Sequence, residues 1–169
     1  MKIKGNNFLL IGGAGFIGSQ ILELLIEYDA AKIVIFDNFK TGSKKNIEKY
    51  IKNPKVSIFN DGGDILHRDM LERAMEDIDG VFHLAALWLT ECLDFTDSAF
   101  EVNIRGTYNV VSAVIKNNVK KLVFSSSASV YGNKDTEKIS ELDNLVEPQE
   151  FYGGTKAACE MIIRSLHNQ

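Results

Sequence analysis

A glycine-rich stretch between an apolar run and an amphipathic run constrains the fold of this chain more than any other feature. Residues 8–11 are apolar and predict a buried strand, and Gly12, Gly15 and Gly18 follow at intervals of three residues. Apolar residues then recur at helical spacing over residues 17–25. A strand that enters a helix through glycines lets backbone N–H groups face a phosphate at the helix N-terminus. The same spacing also occurs in ordinary glycine loops, so other residues must decide.

An aspartate after the second apolar run supports a dinucleotide site. Residues 32–36 predict a strand, and Asp37 follows it where a carboxylate would accept two hydrogen bonds from a ribose diol. Because a carboxylate there repels a 2′-phosphate, NAD is favoured over NADP as the cofactor. Two alternatives stay open: Asp37 is a turn residue beside Asn38, or the lysines of residues 40–45 accommodate NADP.

Strand and helix patterns alternate along the rest of the chain. Further strands are predicted over residues 55–59, 81–86 and 121–125, and further helices over residues 44–52, 67–75, 98–118 and 151–167, with an irregular stretch over 133–150. Such alternation, with strands rich in valine and isoleucine, is typical of a parallel sheet covered on both faces. Right-handed crossovers then predict a Rossmann-type, doubly wound α/β fold with strand order 3-2-1-4-5.

Composition limits the possible classes of protein. With 169 residues, 45% of them hydrophobic, the chain is long enough for one core, so we expect one domain over residues 1–169. The net charge of −4 and the dispersed lysines argue against binding to nucleic acid. No apolar run approaches the roughly 20 residues of a membrane span. Cys92 and Cys159 have no metal or redox spacing, so we expect no metal site and reduced thiols in a cytoplasmic protein.

One pair of residues carries the chemistry of acid–base catalysis. Tyr152 and Lys156 are four residues apart on a predicted helix, so they share a face, and the ammonium would lower the pKa of the phenol. Ser127, just beyond the fifth strand, would hydrogen-bond the same substrate oxygen. The alternative is a surface tyrosine–lysine pair without chemistry.

Three further polar residues each have a structural interpretation. Asp64 follows the third strand, at the ligand-binding edge of a doubly wound sheet, but it would equally cap the next helix. His83 lies within an apolar strand, where a hydrogen-bonded core histidine is the usual case. Asn103 lies among the apolar residues of the long helix 98–118, so its amide needs a buried partner.

The motifs together resemble one enzyme family. They are Gly12-Gly-Ala-Gly-Phe-Ile-Gly18, Asp37, Gly63-Asp-Ile65, His83-Leu-Ala-Ala86, Asn103-Ile-Arg-Gly-Thr107, Phe124-Ser-Ser-Ser-Ala-Ser-Val-Tyr-Gly132 and Tyr152-Gly-Gly-Thr-Lys156. Their order and spread resemble the extended short-chain dehydrogenases/reductases, specifically the nucleotide-sugar epimerase/dehydratase group, and most closely its UDP-glucose 4-epimerase-like members.

This resemblance implies roles for individual residues. It implies that the pyrophosphate of NAD lies at Gly12, Gly15, Phe16, Ile17 and Gly18, the adenosine ribose at Asp37 and Asn38, and the adenine at Asp64 and Ile65. It implies further cofactor contacts for Leu84, Ala85, Ala86, Asn103 and Ser125, the nicotinamide ribose at Lys156, and catalysis by Ser127, Tyr152 and Lys156.

The implied reaction is a transient oxidation of a nucleotide-sugar, with a UDP-hexose as the expected substrate. Tyr152 removes a proton at sugar C4 while hydride passes to NAD, and the 4-keto sugar turns over before it takes the hydride back. Related dehydratases carry Asp-Glu just after the catalytic serine or threonine, whereas this chain has Ala128 and Ser129, which favours epimerisation. There are two alternatives to an epimerase: another nucleotide-sugar reductase or dehydratase of the family, and an NAD-binding module without turnover. Trp88, bulkier than usual for the family, leaves the sugar open.

The resemblance also implies features beyond the single site. Enzymes of this group continue into a C-terminal substrate-binding domain, which we expect this chain to lack. They commonly form homodimers through the two helices that correspond to residues 98–118 and 151–167.

Overall fold

A five-stranded parallel sheet organises the computed structural model, which describes residues 1–133, 138–141, 143 and 147–168. The strands are β1 (Asn7–Ile11), β2 (Lys32–Phe36), β3 (Val56–Ile58), β4 (Gly80–His83) and β5 (Lys121–Phe124). Their order across the sheet is β3-β2-β1-β4-β5, and each neighbouring pair is parallel. The doubly wound, Rossmann-type α/β fold and its strand order are therefore confirmed.

Apolar side chains from alternate strand positions build the core on one face of this sheet. Phe8, Leu10, Ile33 and Ile35 pack with Leu22 and Leu25 of helix α1 (Phe16–Glu27). All six of these side chains are almost completely buried. Since successive residues of a strand point to opposite faces, Leu9 and Ile11 face the other side of the sheet, and they are also fully buried. Both faces of β1 are thus buried, as a central parallel strand requires.

The other helices follow the predicted order with changed boundaries. They are α2 (Lys44–Ile47), α3 (Arg68–Ala74), α4 (Leu89–Asp94), α5 (Thr96–Ala99), a π-helical turn (Phe100–Arg105), α6 (Gly106–Lys116) and α7 (Phe151–His167). Helix α2 is shorter than the predicted 44–52, because the backbone continues as turns such as Tyr50 N–H to Ile47 O at 2.9 Å. Helix α4 was not predicted from the sequence. The irregular stretch 133–150 lies largely outside the described residues.

The chain divides into two compact units. The first unit comprises Met1–Ala85 and Asn109–Ser125 and contains the whole sheet, and the second comprises Ala86–Tyr108 and Ser126–Gln169. The expectation of one domain over residues 1–169 stays a prediction. Within the described part of the chain, no helix has both the length and the apolar character needed to cross a bilayer.

Gly18→Ala tests the close packing of the first unit. A methyl group at Gly18 would overlap the Gly12 carbonyl oxygen and lie 2.6 Å from Cα of Gly13. Because neither is a flexible side chain, we expect the free energy of unfolding to fall by about 2 kcal/mol or more in urea denaturation. The control is Gly154→Ala in α7, where a methyl group meets nothing within 4 Å. That change should stabilise the protein by up to about 1 kcal/mol. Equal effects of the two substitutions would contradict the packing described here.

Candidate functional site

The glycine turn of the first unit brings backbone against backbone. Gly12 has φ +79°, a conformation that favours glycine, and a methyl group on it would lie 2.8 Å from the Ala85 nitrogen. The Gly12 N–H donates to Phe36 O at 2.8 Å, and the Leu84 N–H donates to Ile11 O at 2.8 Å. The turn thus lies where the carboxyl ends of β1, β2 and β4 meet, which is the ligand-binding edge of such sheets.

The N-terminus of α1 is open for an anion. Gly15 precedes the helix, and among the described residues no side chain caps its first turn. The first N–H groups of a helix have no partner inside the helix, and its dipole favours negative charge there. Phe16 and Ile17 expose 83% and 54% of their surface although both are large and apolar. This combination fits a site that a ligand covers.

Asp37 is buried and held in place by backbone donors. Its Oδ2 accepts from the Ala14 N–H at 2.9 Å, and its Oδ1 accepts from the Phe39 N–H at 2.8 Å. A carboxylate has about four acceptor positions, so two remain for the hydroxyls of a ribose. The bond from Phe39 is typical of a turn, so Asp37 is a turn residue, as one alternative from the sequence had it. The bond from Ala14 also joins the same carboxylate to the glycine turn. Asn38 is exposed, and its Oδ1 accepts from Lys40 N–H at 3.1 Å.

Two residues that sequence reasoning missed hold the glycine turn from the other side. The Ala14 carbonyl accepts from the Ser43 N–H at 3.0 Å and from Asn46 Nδ2 at 2.8 Å. Gly42 lies close over Asp37, since a methyl group on Gly42 would be 2.9 Å from both carboxylate oxygens. The loop after β2 therefore fixes both polar groups of the Ala14 backbone. The signal in the sequence was slight, because Asn46 is one of several polar residues in the short helix α2.

The loop after β3 places Asp64 and Ile65 in the first unit. Gly63 N–H donates to Asp37 O at 2.9 Å, and Ile65 is buried. Asp64 Oδ1 accepts from Leu66 N–H at 2.9 Å, whereas helix α3 begins only at Arg68, so the interpretation of Asp64 as the helix cap is wrong. Asn109, which sequence reasoning also missed, donates to Ile65 O at 3.1 Å. The sequence signal for Asn109 was a polar residue among the apolar residues of the predicted helix 98–118.

The strand ends carry the remaining first-unit residues. Leu84 and Ala85 follow β4 directly, and Ser125 follows β5 and donates its N–H to His83 O at 3.0 Å. His83 is fully buried, and its ring lies 5.5 Å from the Phe124 ring. This burial agrees with a core histidine, and the hydrogen bond expected of His83 stays a prediction.

Asn103 is the centre of a buried polar network in the second unit. Its Oδ1 accepts from the Leu87 N–H at 2.8 Å, and its Nδ2 donates to Leu87 O at 3.1 Å and to Thr155 Oγ1 at 3.2 Å. Cys159 Sγ donates to Asn103 O at 3.0 Å, within the π-helical turn. The expected need of this amide for buried partners is confirmed. Cys92, a further neighbour at 3.4 Å from Nδ2, and Cys159 are both free and buried thiols.

Tyr152, Lys156 and Ser127 also lie in the second unit. Lys156 is 3% exposed, and its Nζ lies 5.8 Å from the centre of the Tyr152 ring. The Tyr152 side chain packs on the apolar cluster of Leu87, Cys92 and Ala99. Tyr152 and Lys156 are therefore not the surface pair of the alternative interpretation. Ala86 belongs to this unit as well.

Burial sets the ionisation of this pair. It lowers the pKa of Lys156 from 10.5 to about 8. Burial also raises the pKa of Tyr152 above its usual value, and a hydrogen bond from Ser127 opposes this rise. The direction for Tyr152 is opposite to the one expected from a neighbouring ammonium, because desolvation of the phenolate is the largest influence on its pKa.

The residues of the first unit fit a dinucleotide. The glycines leave no side chain between backbone and ligand, the first turn of α1 is uncapped, and Asp37 keeps free acceptor positions.

The family that is described as "NAD dependent epimerase/dehydratase family" matches residues 8–169. The chain belongs to the NAD-dependent epimerase/dehydratase family. NAD is the cofactor of this family. The family resemblance of the sequence motifs is thus confirmed.

Individual relatives come from more than one enzyme type of the family. A UDP-glucose 4-epimerase of Bacillus subtilis is 35% identical over 164 residues, which are 94% of this chain and 47% of that protein. A solved UDP-N-acetylglucosamine 4-epimerase of Methanobrevibacter ruminantium M1, in complex with UDP-N-acetylmuramic acid, has TM-score 0.89 and 34% identity over 98% of this chain and 52% of its own. A dTDP-glucose 4,6-dehydratase of Streptomyces venezuelae with NAD bound has TM-score 0.90 and 26% identity, over 96% of this chain and 52% of its own. The chain spans about half the length of the curated relatives it matches.

Asn46→Ala tests whether the loop after β2 holds the glycine turn for NAD. Losing one hydrogen bond to Ala14 should weaken NAD binding roughly five- to tenfold in calorimetric titration. Asn117→Ala is the matched control. It removes the bond from the Asn117 side chain, directly after α6, to Ala113 O within the helix, and it should leave the affinity for NAD unchanged. Equal affinities of the Asn46 variant and the original protein would refute this role.

Lys156→Met tests the cost of the buried ammonium. Because the pKa of Lys156 is about 8 in the folded chain and 10.5 ordinarily, the unfolded chain binds more protons between these values, and stability there rises with pH. The variant should be more stable than the original by on the order of 1–3 kcal/mol at pH 7. Its advantage should shrink as the pH rises from 8 towards 10.5.

Urea denaturation at pH 7 and pH 10 measures this difference. Lys52→Met, at an exposed position, is the control and should show almost no change at either pH. A destabilised Lys156→Met protein at pH 7 would show that the ammonium is compensated inside the fold.

Proposed function

We propose that this chain supplies the cofactor-binding and acid–base residues of an NAD-dependent nucleotide-sugar epimerase that acts at C4 of a UDP-hexose. The observation that carries the proposal is the buried Lys156 together with the half-buried Tyr152 and Ser127, in a chain with the glycine turn of its family. A module that only binds NAD needs no tyrosine and serine beside a buried lysine. The epimerases among its relatives support the reaction class.

In this proposal, Tyr152 holds and moves the proton of the sugar 4-hydroxyl. Ser127 donates a hydrogen bond that stabilises the Tyr152 phenolate and orients the same hydroxyl. Lys156, with a pKa of about 8, stays largely protonated at neutral pH and holds the nicotinamide ribose. Bound NAD would supply the hydride acceptor for C4 and a positive charge that favours ionised tyrosine.

We propose the same cofactor roles that the resemblance implies. Gly12, Gly15, Phe16, Ile17 and Gly18 would hold the pyrophosphate, and Asp37 and Asn38 the adenosine ribose. Asp64 and Ile65 would contact the adenine, while Leu84, Ala85, Ala86, Asn103 and Ser125 would line the cofactor. Asn103 would act through the loop at Leu87, because its side-chain amide already bonds Leu87 and Thr155.

Epimerisation is favoured over dehydration by the residues beside Ser127. Ala128 and Ser129 occupy the positions where a dehydratase needs further acids and bases. The Ser129 N–H donates a hydrogen bond to Ser127 Oγ at 3.1 Å. Neither side chain exchanges a proton at neutral pH. A 4,6-dehydratase-like reaction is therefore the weaker proposal, although one relative has that activity.

We further propose a cytoplasmic homodimer. Apolar side chains are exposed on the two elements that the family resemblance implies for dimerisation, with Phe100 at 44% and Met161 at 60%. Light scattering at increasing concentration tests this assembly, and a monomer at all concentrations would refute it.

Transfer of the C4 hydrogen tests the proposed reaction. UDP-glucose deuterated at C4 is incubated with the protein and NAD, and the cofactor and both sugar epimers are analysed by mass spectrometry. We expect deuterium in the cofactor, retention of the label in the epimer, and at least about a hundredfold loss of rate in Tyr152→Phe. Deuterium in the cofactor together with a 4-keto-6-deoxy product would favour the dehydratase. NAD binding without any transfer would favour a binding module, an option raised by the chain's length of about half its relatives.

A further inference from the structure

One acidic residue of α7 belongs to the catalytic face but has no part in the reaction proposed above. Tyr152, Lys156, Glu160 and Arg164 follow one another at intervals of four, so they lie along one face of the helix. Arg164 Nη2 is 3.5 Å from Glu160 Oε2, and the arginine side chain is 76% exposed. An exposed pair of this kind contributes little on its own, so it does not explain the position of Glu160.

The other oxygen of Glu160 makes a much shorter contact. Ser126 Oγ donates to Glu160 Oε1 at 2.5 Å, and the Glu160 side chain is only 19% exposed. Hydrogen bonds to a carboxylate are shorter and stronger than those between neutral groups, more so when water is largely excluded. This bond joins residues 34 positions apart in the sequence, and it fastens the segment after β5 to α7.

The fastened residue is the chain neighbour of Ser127. Ser127 has an extended backbone, with φ −150° and ψ 150°, and its Oγ accepts from the Ser129 N–H at 3.1 Å. The next residues pack on α7, since a methyl group on Gly153 would lie 2.8 Å from Ser129 O, and the Ser127 hydroxyl opposes the rise in the pKa of the Tyr152 phenol. Because Ser126 and Ser127 share a peptide bond, a shift of Ser126 away from α7 would move the Ser127 hydroxyl relative to Tyr152.

We propose that Glu160 is a positioning residue, which accepts a hydrogen bond from Ser126 and so holds Ser127 in bonding distance of Tyr152. The helix that carries the tyrosine thereby also sets the place of its serine partner. The inference rests on the proposed function, since Ser127 and Tyr152 are the acid–base pair there.

The titration of Tyr152 in the protein without cofactor or sugar tests this inference. The chain is labelled with tyrosine carrying ¹³C at Cζ, and each resonance is followed with pH by NMR up to the highest pH at which circular dichroism shows the fold intact. Tyr152→Phe assigns the signal. We expect Ser126→Ala and Glu160→Gln to move the Tyr152 titration to higher pH, by up to about one pH unit. Ser126→Ala removes the donor of this bond, and Glu160→Gln replaces its charged acceptor by a weaker neutral one. Because both changes act on the same link, the double variant should move the titration no further than Ser126→Ala alone.

Hydrogen exchange of the Ser129 amide at neutral pH is the second readout. This N–H donates to Ser127 Oγ, so it should exchange several-fold faster in both single variants, while amides in the middle of α7 keep their protection. Glu101→Gln is the matched control, because it removes the same charge from another i,i+4 pair with an arginine in the same unit, Glu101 with Arg105. Neither readout should change in that variant.

Several outcomes would overturn the inference. An unchanged Tyr152 titration and unchanged Ser129 exchange in Ser126→Ala would show that the link does not position Ser127. Additive shifts in the double variant would show that the two residues act independently. If Glu160→Gln does not fold, Ser126→Ala alone decides, since it removes one hydroxyl from a half-buried site. Neither readout needs turnover, so a failure of the proposed epimerase reaction would leave this result intact and separately visible.

Discussion

The contact of bare backbone at Gly12 and Gly18 is the constraint on which the first unit depends. No side chain fits at either position, so β1 runs into α1 through a glycine turn, and among the described residues no side chain caps the first turn of the helix. The turn is then held by its neighbours through Ala14, with Asp37 on its N–H and Ser43 and Asn46 on its carbonyl. Close packing and a helix N-terminus without a side-chain cap thus belong to one arrangement, and such an N-terminus favours an anion.

The second unit depends on a buried amide in a comparable way. Asn103 pairs with both polar groups of Leu87 and also reaches Thr155, which lies between Tyr152 and Lys156 on α7. A buried network is stabilising only when its members are satisfied, and the donor and acceptor atoms of this amide both have partners. The same unit keeps Lys156 almost fully buried, and this burial lowers the pKa of its ammonium group to about 8. Burial of this lysine in its charged form therefore costs stability.

Sequence patterns predicted the architecture because it rests on local signals. Apolar runs, glycine spacing and alternation of elements were enough for all five strands, their order and the place of the glycine turn. Contacts between distant residues were not predictable: Asn46, Asn109 and Glu160 are ordinary polar residues until the fold brings Ala14, Ile65 and Ser126 to them. Boundaries also shifted where tertiary bonds intervene, as in the π-helical turn around Asn103. The prediction that the pKa of Tyr152 is lowered was wrong for a related reason. Spacing along a helix indicates a charged neighbour, but it does not indicate burial.

The central claim is that recognition of NAD is built into the Gly12–Gly18 turn and Asp37 of this chain itself. Calorimetric titration of the purified, folded chain with NAD and with NADP tests it most directly. The account predicts one NAD site per chain, and NADP binding weaker by roughly tenfold or more, because the fixed Asp37 carboxylate would accept ribose hydroxyls and repel a 2′-phosphate. Equal affinity for the two dinucleotides, or no binding by a chain whose circular dichroism shows a folded protein, would contradict it.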